Sequence, residues 1–158
     1  MSAGKEQVFG TEINASVQQC FATITRFEEY PNWFSSVENT RVLERTADGL
    51  AARVEYRIDL RLKSIRYILE YSYDQPTELL WHSIDGDIES IEGMYRFEKL
   101  APKRTHATCR QSVSLGFWLP GPLRTIMEQQ ALKQSVLEFK AAAEAAALKR
   151  AVRRPRKS

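Results

Sequence analysis

Two histidines, two cysteines and six tyrosines are the side chains of this chain best suited to do chemistry. His82 stands beside Trp81 in an alternating segment, which makes it the candidate acid or base for a pocket. His106 follows the turn Pro102-Lys103-Arg104 and reads as an exposed residue. Cys20 and Cys109 lie far apart, in no metal-ligand spacing, on apolar positions of a helix and a strand. They read as buried, reduced thiols. With no Cys or His cluster a zinc site has little to be built from, and neither metal nor cofactor is expected. A phosphate loop, a Gly-rich dinucleotide fingerprint and a nucleophile elbow are all missing. Neither histidine sits in a recognisable Ser-His-Asp setting.

The aromatic residues carry the stronger signal. Tyr56, Tyr67, Tyr71, Tyr73, Trp81, Tyr95 and Phe97 come from segments that would line the concave side of a sheet. A tyrosine offers an apolar ring and a polar tip, so it can pack against a ligand and still orient one oxygen. Pockets for small apolar ligands are mostly apolar with a few polar groups. Leu69 and Met127 extend this lining. Gln111 and Gln130 fall at positions read as inward and would need hydrogen-bond partners if buried. Trp33, Phe34, Phe117 and Trp118 cluster at segment ends and bends, where they suit a pocket mouth. The competing assignment for all these rings is solid core against a long helix.

The elements that must position these residues follow from periodicity. Residues 7–13 read as a strand. Ser16 with Gln19 then forms a capping-box pattern, and Val17, Cys20, Phe21, Ile24 and Phe27 follow at helical spacing. Pro31 ends or reorients that path, which places Tyr30, Trp33 and Phe34 in a bend. Leu50, Ala52, Val54, Tyr56, Ile58, Leu60 and Leu62 alternate with charged residues, the pattern of a strand with one wet face. Asp48-Gly49 supplies the hairpin turn before it. Similar segments continue to Phe117, giving about seven strands with no crossover helices. Pro120-Gly121-Pro122 then opens one long helix. Leu132, Val136, Phe139 and Ala143 lie on one side of it and Leu123, Ile126, Met127, Leu137 and Ala141 on the other, as if it were gripped from two sides.

The chain has 158 residues, 43% hydrophobic and 27% charged, as expected of a single globular domain. No run reaches the roughly 18 apolar residues of a membrane span, and the first residues lack a signal-peptide core, so the expected location is cytoplasmic. The net charge of +3 is uneven. Lys149, Arg150, Arg153, Arg154, Arg156 and Lys157 read as a basic tail over residues 149–158 that is expected to be disordered, and setting it aside leaves the body at about −3. Such a tail can touch nucleic acid or an anionic surface. The body itself has no basic surplus for a dedicated nucleic-acid role.

The order of parts, with Ile13 before the Ser16 cap, Tyr30-Pro31-Asn32-Trp33, Glu92-Gly93-Met94-Tyr95-Arg96-Phe97 and the helix from Pro122, resembles the START-like (SRPBCC) superfamily of polyketide cyclase/dehydrase and lipid-transport proteins. The resemblance spans roughly residues 7–147. It implies an α+β helix-grip fold: a seven-stranded antiparallel sheet wrapped around a long C-terminal helix, with two short helices after the first strand. Residues 1–148 would form that domain. It also implies a partner, a hydrophobic small molecule such as a lipid, isoprenoid quinone or polyketide. Relatives of this kind include coenzyme Q-binding proteins, aromatase/cyclases and a ribosome-association toxin, so cyclisation and dehydration of a polyketide, or ribosome or protein interaction, are alternatives.

Overall fold

In the computed structural model, which describes residues 6–61, 63–126 and 130–153, the alternating segments form one seven-stranded antiparallel sheet. The strands are β1 (Glu6–Ile13), β2 (Val37–Arg45), β3 (Ala51–Asp59), β4 (Ser64–Asp74), β5 (Glu78–Gly86), β6 (Ser90–Ala101) and β7 (Arg104–Ser114). They lie in the order β1-β7-β6-β5-β4-β3-β2, so β2 to β7 form a meander and β1 joins its far edge. The helices are α1 (Val17–Ile24), α2 (Tyr30–Trp33), α3 (Gly121–Thr125) and α4 (Ala131–Arg153).

Helix α1 begins as its capping box requires. The Gln19 amide donates to Ser16 Oγ at 3.1 Å, and the Ser16 amide donates to Gln19 Oε1 at 2.9 Å. Val17, Cys20, Phe21, Ile24 and Phe27 are all buried, but the helix stops at Ile24 and Phe27 opens a 3-10 turn over Phe27–Glu29. Tyr30–Trp33 is a helical turn, not an irregular bend. Pro31 sits in the first turn, where its missing N–H would have had no helical partner in any case.

The two faces of β3 separate as its pattern predicts. Val54, Tyr56 and Ile58 are buried, while Arg53 and Arg57 are exposed. At the start of the strand Ala51 is buried and Ala52 is not, because the register with β2 steps at Glu44 and Arg45. A bulge of this kind swaps which residue faces inward. The convex face carries the charges in cross-strand pairs, Arg66 with Glu55 at 2.7 Å and Arg96 with Glu78 at 2.7 Å among them. Each such surface pair adds little stability. On β5, Leu79 and Trp81 face inward and Leu80 is exposed.

The C-terminal helix differs from expectation in its burial. Between α3 and α4, Ile126 and Gln130 are π-helical. The helix is buried on one side only. Leu132, Val136, Phe139 and Ala143 are enclosed, while Leu137 is 40% and Ile126 48% exposed and Ala141 faces solvent. The helix therefore lies on the sheet, closest to β1 and β7, with α1 and α2 alongside. It is tied at two places. Near its start the Ser35 amide donates to Glu138 at 3.3 Å and Gln134 Nε2 donates to Ser35 Oγ at 2.9 Å. Further along, the Asn14 amide donates to Glu144 at 2.8 Å, and Lys140 Nζ bridges Glu144 and the Glu12 carbonyl. Helix α4 continues through Arg153 and so includes Lys149, Arg150 and Arg153, where a disordered tail was expected; Arg154, Arg156 and Lys157 lie outside the described residues.

Val54→Asp should cost several kcal/mol, because it forces a carboxylate into a dry wall without a partner. Arg57→Gln, on the opposite face of the same strand, should cost under about 0.5 kcal/mol. Urea denaturation of the two variants checks the face assignment.

Candidate functional site: the aromatic concave wall

The inward side chains run in rows across the sheet, set by strand register. Tyr71 on β4, Trp81 on β5, Gly93 on β6 and Gln111 on β7 are successive cross-strand partners. The neighbouring row is Tyr73, Leu79, Tyr95, Cys109 and Phe9. Tyr56 and Tyr67, partners on β3 and β4, stack with centroids 5.3 Å apart.

Gly93 explains how the first row closes. A Cβ there would lie 2.4 Å from the Trp81 indole, so only glycine leaves the ring its place. The indole N–H then reaches past β6 and donates to Gln111 Oε1 on β7 at 3.1 Å. Gln111, half-buried, thus has a side-chain partner within the protein.

Two groups of rings cover the wall. Over β3 and β4, Phe27 packs on Tyr71 at 4.6 Å, Tyr30 approaches Tyr56 at 6.2 Å, and Phe21 meets Tyr73 edge-on at 6.0 Å. Over β6, Phe139 of α4 contacts Tyr95 at 5.3 Å and Phe97 at 5.9 Å. Trp33 joins the two groups, reaching Phe139 at 6.1 Å and packing closely on Phe34 at a tilt of 38°.

The wall is polar only through neutral groups. Tyr30 donates to the Ile24 carbonyl, Tyr73 donates to the Ala51 carbonyl at 2.5 Å, and the Tyr56 and Tyr71 hydroxyls bond to each other. The Tyr95 hydroxyl is buried without a nitrogen or oxygen partner, beside the Cys109 thiol. Among the described residues no Asp, Glu, Lys, Arg or His is buried. All six tyrosines are held above their ordinary pKa, chiefly by burial. Burial likewise pushes the Cys20 thiol up to about 11 and the Cys109 thiol up to about 12. Desolvation disfavours the charged form in every case.

Of the residues assigned to the lining, Tyr56, Leu69, Tyr71, Trp81, Tyr95 and Phe97 are buried on this wall, and Tyr67 is half-buried beside them. Gln130 is exposed, contrary to its inward assignment; it is π-helical, and the wider turn shifts the phase of the helix ahead of the buried stripe that starts at Leu132. Met127 lies outside the described residues. His82 is exposed on the convex face, 3.5 Å from Glu70. Alternation with the inward Trp81 dictates this, and it removes His82 as a pocket acid or base. His106 is half-buried against Gly10 and not exposed.

The residues assigned to a mouth all fall at one end of the sheet, where β2, β4 and β6 begin and β3, β5 and β7 end. Trp33 and Phe34 belong to the covering cluster, Phe117 is half-buried beneath Lys63 Nζ at 4.5 Å, and Trp118 is 81% exposed. Phe27, Tyr30, Cys109 and Phe139 were not assigned to the site by sequence. For Phe27, Cys109 and Phe139 the signal lies in burial periodicity, but periodicity does not say which buried ring meets which; Tyr30, next to Pro31, has no such signal.

A meander curled against a C-terminal helix, lined by aromatic side chains, is the START-like class of fold. Residues 13–140 match the family described as polyketide cyclase/dehydrase and lipid transport, and the chain belongs to that family. No curated protein matches the sequence. Among solved structures, a START superfamily protein from Mycobacterium smegmatis is 20% identical, with 92% of this chain and 99% of that one covered and a TM-score of 0.76. A Thermus thermophilus protein is 19% identical, with 92% and 99% covered and a TM-score of 0.75. The Zhui aromatase/cyclase from a Streptomyces strain is 16% identical, with 96% of each chain covered and a TM-score of 0.67. At such identities the likeness is one of fold.

Two outcomes are expected from this geometry. Gly93→Ala should destabilise by about 1–3 kcal/mol through overpacking, and a smaller ring in the double variant Gly93→Ala/Trp81→Phe should recover part of the loss; chemical denaturation measures both. The second concerns alkali. Above about pH 10 the unfolded chain releases its tyrosine protons while the folded chain keeps them. The folded state then binds more protons, so stability must fall as pH rises. Tyrosinate absorbance should therefore appear in one step, together with loss of the near-ultraviolet circular dichroism, and not gradually in the native protein.

Proposed function

We propose that the protein is a cytoplasmic binder or carrier of a hydrophobic small molecule, held between the concave wall and the helices that cover it. A lipid, an isoprenoid quinone or a polyketide fits this description. The observation that supports it is the make-up of the wall: aromatic rings with tyrosine hydroxyls and one glutamine, and no buried ionisable acid–base residue among those described beyond tyrosine and cysteine. Removing apolar surface from water contributes about 25 cal/mol per Å² before the costs of association. Such a surface suits holding a molecule better than transforming it. Trp33, Phe34, Phe117 and Trp118 would frame the entrance, since they share one end of the sheet.

Aromatase/cyclase activity is the second reading. The family description and the fold shared with the Zhui aromatase/cyclase support it. So does the Tyr56–Tyr71 hydroxyl pair, which could polarise a carbonyl while the wall excludes water. Against it, aldol closure also needs a base, and tyrosines held protonated are donors, not bases. The third reading, interaction with a ribosome or protein through the basic run, draws no support from the wall. Half of its six basic residues, Arg154, Arg156 and Lys157, fall outside the described residues.

Native mass spectrometry of gently purified protein, followed by organic extraction, tests the first reading. A single apolar molecule bound one to one is the expected result. A protein that stays empty after incubation with phospholipid, ubiquinone and a polyketide would overturn it. Turnover of a linear poly-β-ketone thioester to an aromatic product would instead establish the second.

A further inference from the structure

The donors of the concave wall divide by whether a partner inside the protein takes their proton. Tyr30 gives its proton to the Ile24 carbonyl, Tyr73 to the Ala51 carbonyl, and Trp81 to Gln111. Tyr56 and Tyr71 hold two protons between them but make one mutual bond, so one O–H is left over whichever of them donates. Tyr95 is 4% exposed, and its hydroxyl meets no oxygen or nitrogen acceptor among the described residues. Its polar neighbour is the Cys109 thiol, a weak acceptor. A buried donor without a partner is costly to a fold and is normally satisfied.

The surplus is placed to one purpose. Tyr71 and Tyr95 pack against Trp81 from the strands on either side of it, with centroids 6.2 Å and 5.8 Å away. Among the described residues no Lys, Arg or His is buried near them. The wall therefore offers uncharged donors and no counter-charge. An anion brought there would lose its hydration without an ion pair, at heavy cost. A plain hydrocarbon would leave the donors unmet.

We propose that the Tyr95 hydroxyl, assisted by the spare proton of the Tyr56–Tyr71 pair, anchors the ligand, and that the ligand is a neutral apolar molecule bearing a carbonyl oxygen, such as a ketone, quinone or ester. This rests on the binding reading above and narrows it, excluding free carboxylates and phosphates from the wall. Burial holds both hydroxyls protonated at any physiological pH, so the preference does not change with pH in that range. Tyr95 selects among ligands here; the rings around it supply the bulk of the affinity.

The test is titration calorimetry of the full chain with three compounds of one ring skeleton: tetralin, its ketone tetralone, and naphthoate. Tetralone should bind about tenfold more tightly than tetralin, the gain of one added hydrogen bond, and naphthoate should bind far more weakly than either. Tyr95→Phe keeps the ring and removes the unmatched hydroxyl. It should fold at least as stably by urea denaturation, bind tetralin unchanged, and lose most of the preference for the ketone. Tyr73→Phe, whose hydroxyl is already engaged, should retain that preference. Equal binding of ketone and hydrocarbon, tight binding of naphthoate, or a preference that survives Tyr95→Phe overturns the inference and leaves the binding reading standing. Failure of all three compounds to bind overturns the inference, and the binding reading is then decided by the mass-spectrometric test above.

Discussion

A single helix cannot cover seven strands, and the rest of the structure follows from that mismatch. Strands about 4.8 Å apart make a sheet roughly 29 Å wide, whereas a helix with its side chains is about 10 Å across. Helix α4 lies along β1 and β7 and buries only Leu132, Val136, Phe139 and Ala143 as its inner stripe. The far strands, β3 to β5, have to be covered otherwise. The chain does this with the segment from α1 to Phe34, and with side chains long enough to reach across the gap. Leucine and valine are too short for that work. The wall is accordingly rich in tyrosine and tryptophan, whose size compensates for the missing backbone.

Large rings with polar tips bring a second constraint, since each buried hydroxyl needs an acceptor. The acceptors are found at element ends, where carbonyls are free of regular pairing: Ile24 closes α1 and Ala51 sits at the bulged start of β3. The bulge between β2 and β3 thus turns Ala51 inward and brings its carbonyl within reach of Tyr73. Charge is kept to the convex face and the rim. There Glu138 and Glu144 hold α4 to the backbone amides of Ser35 and Asn14, which lie between regular elements. Packing and polarity are in this way solved by separate sets of residues.

Much of this was legible in the residues. Strict alternation in β3 and β4 identified the inward tyrosines, and the Ser16–Gln19 pair marked the start of α1, because both signals are local. The errors came where local signals were ambiguous or tertiary structure decided. Leu79, Leu80 and Trp81 are consecutive and apolar, so alternation alone could not orient β5, and the assignment of His82 depended on it. The apolar residues Ile126, Leu137 and Ala141 suggested a helix gripped from two sides; the sheet curls against only one. The Tyr30-Pro31-Asn32-Trp33 segment was read as a bend because proline is a helix breaker in general, although it is harmless in a first turn. Hydrogen-bond partners were the least legible of all, since Trp81 and Gln111 meet across an intervening strand, 30 residues apart in sequence.

That meeting has a consequence for how the chain can change over time. The indole of Trp81 occupies the volume that any side chain at position 93 would claim, and its N–H fixes the orientation of Gln111 two strands away. The three positions therefore behave as one heritable unit. A larger residue at 93 is admissible only after 81 has become smaller, and a smaller residue at 81 releases 111 to take another partner. Divergence in what this wall accommodates would then proceed by concerted steps at 81, 93 and 111, each passing through an intermediate with a gap and not one with a clash.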